Sequence, residues 1–251
     1  MSENNIAKKY DEVESKTRSL SGLHLKTIAF IAFCWSLFQL WYASPFPFIV
    51  GFGVFIDVPA RAIHLSFAFL IAFLSYPLLK KDKNKNFGIL DIIIAFVAFA
   101  CAMYIVIFYE KIVYSNGILW KLPITLFGNS YDFPIEMIIG IIAVTLLLEA
   151  TRRTIGLPLV IVAIVFLAYS VFGQSMPDLI SHQGLSLKRL VGYHWFGGEA
   201  IFGIPISVSV SFVFLFVLFG SMLDYAGGGK YFLNLAIALV GKFRGGPAKA
   251  S

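Results

Sequence analysis

Residues 80–109 read KKDKNKNFGILDIIIAFVAFACAMYIVIFY. Four lysines, Lys80, Lys81, Lys83 and Lys85, come first; then a run from Ile89 to Tyr109 carries a single charge, Asp91. An α-helix rises 1.5 Å per residue, so about 20 apolar residues cross a hydrocarbon core of about 30 Å. Backbone amides find no water partner in lipid, so a run of this kind must be helical. Five other stretches have the same character, at residues 27–44, 60–79, 134–150, 155–173 and 203–225. The pattern predicts an all-α polytopic transmembrane bundle of about six spans.

Composition agrees. Of 251 residues, 59% are hydrophobic and 14% charged, and the mean hydropathy is +0.82. Soluble domains carry about 25% charged residues. The net charge of +6 does not point to nucleic acid, because the basic residues fall between the apolar runs, where a membrane protein places them. Cys34 and Cys101 both lie inside apolar runs and read as reduced core residues, not as a disulfide or metal ligands. The polar first 26 residues lead into an uncleaved first span.

Charge also orients the spans. With the lysine run 80–85 in the cytoplasm, alternation places there the N-terminus, Arg152 and Arg153, and the basic residues after Tyr225. Only Arg61, Lys111, Lys121, Lys188 and Arg189 fall outside. Trp41, Tyr42, Tyr109, Trp120 and Tyr131 sit at the expected outer headgroup level. Pro134, Pro158 and Pro205 fall in the first turns of their spans, where a missing N–H costs least.

Two outer loops are long, 110–133 and 174–202. Within the second, SLKRLVGYHWF (186–196) sets Leu187, Leu190, Val191 and His194 at helical spacing with Lys188 and Arg189 off that face. The spacing fits a short helix along the outer surface, and equally a loop folded back on the bundle. KYFLNLAIALVGKF (230–243) is too short to cross and reads as a half, re-entrant or interfacial helix. The final GGPAKAS has no stop-like polar tail, so further chain is expected beyond Ser251.

No HExxH, GxSxG, GxGxxG or CxxC is present, and GGGK at 227–230 lacks the spacing of a phosphate loop. No catalytic residue, metal ligand or cofactor is therefore assigned. The ionisable residues near the spans each have a structural reading. Asp91 in a first turn complements the helix dipole. Glu149 stands three and four residues before Arg152 and Arg153, the spacing of a helix-surface ion pair. Arg61 can snorkel, and His64 can bond a neighbouring helix. Glu136 lies near the outer start of the fourth span. Glu149, Arg152, Arg153, Lys188 and Arg189 remain as candidate interfacial or docking residues.

LEATRRTIGLPLVIVAIVFLAYSVFG (148–173) resembles the junction in fused permeases of tripartite ATP-independent periplasmic (TRAP) transporters. GIPISVSVSFVFLFVLFGSMLDYAGGGKYFLNLAIALVGKFRGGPAKAS (203–251) resembles the opening of their large, DctM-like part. The resemblance implies a cytoplasmic N-terminus over residues 1–26. It implies a small-subunit-like (DctQ-like) four-helix region with a linking helix over 27–175, and the start of the large domain over 176–251. It further implies a bacterial inner-membrane permease component of a sodium-coupled importer of small organic anions, with no other cofactor. Its partners would be a periplasmic solute-binding protein, the rest of the large permease domain and the lipid bilayer. The family's substrate and sodium sites are expected downstream of Ser251. The alternative is a non-transporting membrane scaffold or accessory subunit; an intramembrane enzyme would need a paired acid, Ser–His or metal set that the sequence lacks.

Overall fold

The computed structural model describes residues 17–78, 86–115, 119–126 and 129–240. The lysine run 80–85, the first 16 residues and the GKFRGGPAKAS end lie outside the described residues. The chain divides into two units, 1–207 and 208–251.

In the first unit the helices are α1 (Leu23–Ala43), the short α2 (Phe46–Val50), α3 (Asp57–Ser75), α4 (Ile89–Tyr114), α5 (Ile135–Thr154), α6 (Leu157–Phe172) and the short α7 (Leu187–Val191). The long helices coincide with the first five predicted spans, within a few residues at most ends. α4 runs further than expected, to Tyr114. A turn at Ile155 and Gly156 joins α5 to α6: both amides bond Thr151 O, at 2.9 and 3.1 Å. Gly156 takes φ +130°, which only glycine adopts without strain, and Pro158 follows in the first turn of α6.

α3 and α4 form the centre of this unit. Ala62, Ala95, Ala98 and Ala102 are buried between them, and small side chains let helix backbones approach closely. Phe69, Phe73 and Ile105 fill the remaining space. Outward-facing positions are apolar too: Phe30, Phe96 and Phe166 are 65–68% exposed, as expected where lipid rather than water is the neighbour.

Residues 110–133, expected as an outer loop, are not wholly irregular. Part of it is a hairpin, β1 (Lys121–Leu126) paired antiparallel with β2 (Asn129–Pro134) in the register Lys121↔Pro134 to Leu126↔Asn129. The hairpin runs directly into α5.

The short α8 (Ile204–Val208) ends where the second unit begins, and that unit opens on a π-helical turn, Ser209–Val213, followed by α9 (Phe214–Tyr225). Gly227, at φ +84°, ends α9, and α10 (Gly228–Val240) begins at once. Gly228 admits a close approach: a Cβ there would lie 2.6 Å from Leu223 Cγ. The glycine triplet thus makes a tight helix–helix turn. The described part of α10 has 13 residues, about 20 Å.

Among the described residues five helices are long and apolar enough to span a membrane: 23–43, 57–75, 89–114, 157–175 and 204–225. α5, at 20 residues, has the length. Its charges, Glu136 at one end and Glu149, Arg152 and Arg153 at the other, leave the middle 137–148 uncharged. The molecule is a multi-pass membrane protein.

Candidate functional site

The candidate residues fall at the two ends of α5. At its C-terminal end stands a buried ion network. Asp91, in the first turn of α4 and 3% exposed, accepts from Arg153 Nη1 at 2.6 Å and from Arg18 Nη2. Arg153 Nε donates to Glu149 Oε1 at 2.8 Å. Arg152 grips the same carboxylate with two parallel bonds, Nε to Oε2 and Nη2 to Oε1, both 2.7 Å. This forked geometry is the strong form of a charge-assisted pair. The pairing of Glu149 with both arginines follows the predicted spacing.

The same arginines hold the end of α3. Arg153 Nη1 bonds Tyr76 O at 3.1 Å and Arg152 Nη2 reaches Leu78 O at 3.4 Å. The Arg18 amide bonds Ser75 O at 2.9 Å. Helix C-termini leave carbonyls unpaired, so cations there are stabilising. The Arg153 guanidinium also lies 4.9 Å from the centre of the Phe73 ring, a cation–π contact. Four elements, the lead into α1, the end of α3, the start of α4 and the end of α5, are thereby fastened at one point.

Among the described residues three guanidiniums face two carboxylates in this network. Arg18 Nε and Nη1 and Arg153 Nη2 are buried without a protein partner. Asp91 occupies the first turn of α4, where it complements the helix dipole, and is also the hub of two ion pairs. Arg153 is 6% exposed and faces inward, whereas the Arg152 side chain retains 34% exposure. Of this pair, Arg152 has the accessible head.

The other end of α5 is built on hydrogen bonds from uncharged donors. Glu136, 1% exposed, accepts on Oε1 from Tyr104 OH at 3.0 Å and from the Trp120 amide at 3.2 Å. It joins α5 to α4 and to the residue before β1. Its Oε2 has no protein partner. Nearby, Arg61 Nη1 donates to Phe202 O at 2.7 Å and lies 3.5 Å from Asp57. Arg61 thus ties α3 to the segment before α8 instead of snorkelling to the surface. His64 Nδ1 accepts from Trp35 Nε1 at 3.1 Å and contacts the Gln39 amide nitrogen. An indole N–H only donates, so Nδ1 is unprotonated. His64 therefore bonds the neighbouring helix, α1, as its type and depth suggested.

The segment 186–196 is a helix folded back on the bundle. Ser186 Oγ caps it, accepting from the Arg189 amide at 3.4 Å. After Val191 it widens into a π-helical turn, Gly192–Phe196. The buried pair is Val191 and Trp195, while Leu187 is 55% exposed. Of the predicted face, Val191 is buried and Leu190 and His194 are half-buried, whereas Leu187, in the first turn, is not covered; Trp195, in the wider turn, is buried in addition. Gly140 of α5 makes the docking possible: a Cβ there would sit 2.2 Å from Val191 Cγ1. Lys188 and Arg189 are exposed. Lys188 lines, with Glu136 and Val191, a cavity of about 20 Å³, room for one water.

Residues 142–251 match the family model described as tripartite ATP-independent periplasmic transporter, DctM component. No curated protein and no solved structure matches the chain.

Proposed function

We propose, from the DctM-type segment that residues 142–251 constitute, that this TRAP-type membrane component serves sodium-coupled uptake of small organic anions delivered by a periplasmic solute-binding protein. The match is the observation that carries this reading, and the family is one of permeases rather than enzymes. The bundle is consistent with a scaffold role: its polar groups are spent fastening helices together at both ends of α5. In this reading the bacterial inner membrane holds the chain with its N-terminus and the Arg152–Arg153 end in the cytoplasm. Residues 1–26 would form a polar cytoplasmic lead, 27–175 the small-subunit-like region with its linking helix, and 176–251 the opening of the large permease part.

The exposed pair Lys188 and Arg189 would then face the periplasm, on a helix braced by Val191 and Trp195, and form part of the docking surface for the binding protein. Arg152 would stand at the opposite, cytoplasmic headgroup level. The rest of the large permease domain supplies the moving parts in this reading.

The test is to delete the encoding gene and screen uptake of radiolabelled organic acids with and without a sodium gradient. Loss of sodium-dependent uptake of a defined acid, restored by complementation, is the expected result. Full uptake of every acid tested would favour the scaffold alternative. Reversing charge at Lys188 and Arg189 should weaken binding-protein affinity, and unchanged affinity would remove these two residues from the docking surface.

A further inference from the structure

We propose that Lys188 is the counter-charge of Glu136, joined to it through one water in the cavity between α5 and α7. The two residues occupy matching places on helices in contact. Val191 of α7 packs on Gly140 of α5, so closely that a Cβ at position 140 would lie 2.2 Å from Val191 Cγ1. Glu136 stands four residues before Gly140, and Lys188 three before Val191. Those spacings put each of them one turn away from that contact, on the same face of its own helix. The two faces meet again at the cavity, which Glu136 and Lys188 both line.

The cavity has one buried polar atom in need of a partner. Glu136 is 1% exposed, and its Oε1 accepts from Tyr104 and from the Trp120 amide. Its Oε2 has no protein partner. A buried carboxylate oxygen left dry is expensive. The cavity beside it, about 20 Å³, admits one water-sized group.

A buried water needs at least two polar partners. The rest of the lining is Pro134, Met137, Val191, Gly192 and Phe196, which leaves Lys188 as the residue whose side chain can donate and carry a positive charge. Its long stem lets the ammonium turn to the mouth of the cavity while staying at the surface, where Lys188 is exposed. Among the described residues Lys188 makes no direct ion pair, so the link runs through the water. Arg189, one residue further on, does not line the cavity. Lys188 is thus a positioning residue: it fastens the start of α7 to the start of α5, and Val191 and Trp195 bury the part that follows. The inference holds whether or not the outer face meets a binding protein.

Hydrogen–deuterium exchange of the full chain in detergent tests it, read by mass spectrometry on peptides covering 187–196. Lys188→Met keeps the stem and removes the charge. It should raise exchange there about fivefold, the upper end for an ion pair near water. Arg189→Met, the same kind of change off the cavity, should leave the rate as it is. In a Glu136→Gln background, Lys188→Met should add nothing, because the charge it answers is gone. Unchanged exchange in Lys188→Met would overturn the pairing. So would a Lys188→Met effect that persists at full size with Glu136→Gln, or an equal effect of Arg189→Met.

Discussion

The two ends of α5 solve the same problem with different chemistry. Both bury a carboxylate almost completely, Asp91 at 3% exposure and Glu136 at 1%. At the Arg153 end the carboxylate is met by guanidiniums, with Glu149 completing the set. At the other end Glu136 is met by a phenol and a backbone amide, and no cation pairs with it among the described residues. Removing one member of a buried ion pair leaves an uncompensated charge, which costs far more than losing a neutral hydrogen bond. The first end should therefore be brittle to single substitutions and the second tolerant.

Asp91→Ala should have the largest effect. It strands Arg18 and leaves Arg153 with Glu149, which Arg152 already shares, at a cost of about 3–5 kcal/mol. Thermal unfolding in detergent should show the loss, and adding Arg153→Met should recover part of it. No recovery would mean that stranded charge is not the cause. Gly140→Leu comes next, at about 1–3 kcal/mol, because α7 must move off α5. Its specific sign is greater acrylamide quenching of Trp195, which is fully buried. Arg61→Met should cost about 2 kcal/mol, through the lost bond to the Phe202 carbonyl. Glu136→Gln should be the mildest, about 1 kcal/mol or less, because an amide oxygen still accepts from Tyr104 and Trp120. If Glu136→Gln destabilised as much as Asp91→Ala, the contrast between the ends would fail.

Much of this was legible before the structure. The apolar runs placed the long helices because lipid forces helical backbone wherever charge is absent. Glu149 with Arg152 and Arg153 was readable because i,i+3 and i,i+4 neighbours share a helix face. The bond from His64 to α1 was expected from its type and depth, though not its partners Trp35 and Gln39. The link from Asp91 to Arg153 was within reach, since charge counting puts both residues on the same side of the membrane. Arg18 was not, because it precedes the first span and reads as ordinary polar lead.

The hairpin had a signal that went unused. Leu122, Ile124 and Leu126 alternate with Lys121, Pro123 and Thr125, a period of two. Pro123 weakened it, since proline removes a ladder donor. In 186–196 the burial of Trp195 went unseen because a π-helical turn leaves no mark in a 3.6-residue pattern. The role of Gly140 was hidden for another reason: a glycine within a span shows a need for space only once its neighbour, Val191, is known.

The contrast between the ends also has a side of the membrane attached to it, since the proposed function sets the Arg152 end in the cytoplasm and the Lys188 helix outside. Cysteine labelling tests this most directly. Single substitutions Lys188→Cys and Lys83→Cys would be made after replacing Cys34 and Cys101 with alanine, and treated with a membrane-impermeant maleimide. Labelling of the position-188 variant in intact cells, with the position-83 variant labelled only after the inner membrane is opened, is the expected result. Labelling of the position-83 variant from outside would contradict the orientation, and with it the assignment of Lys188 and Arg189 to the docking surface.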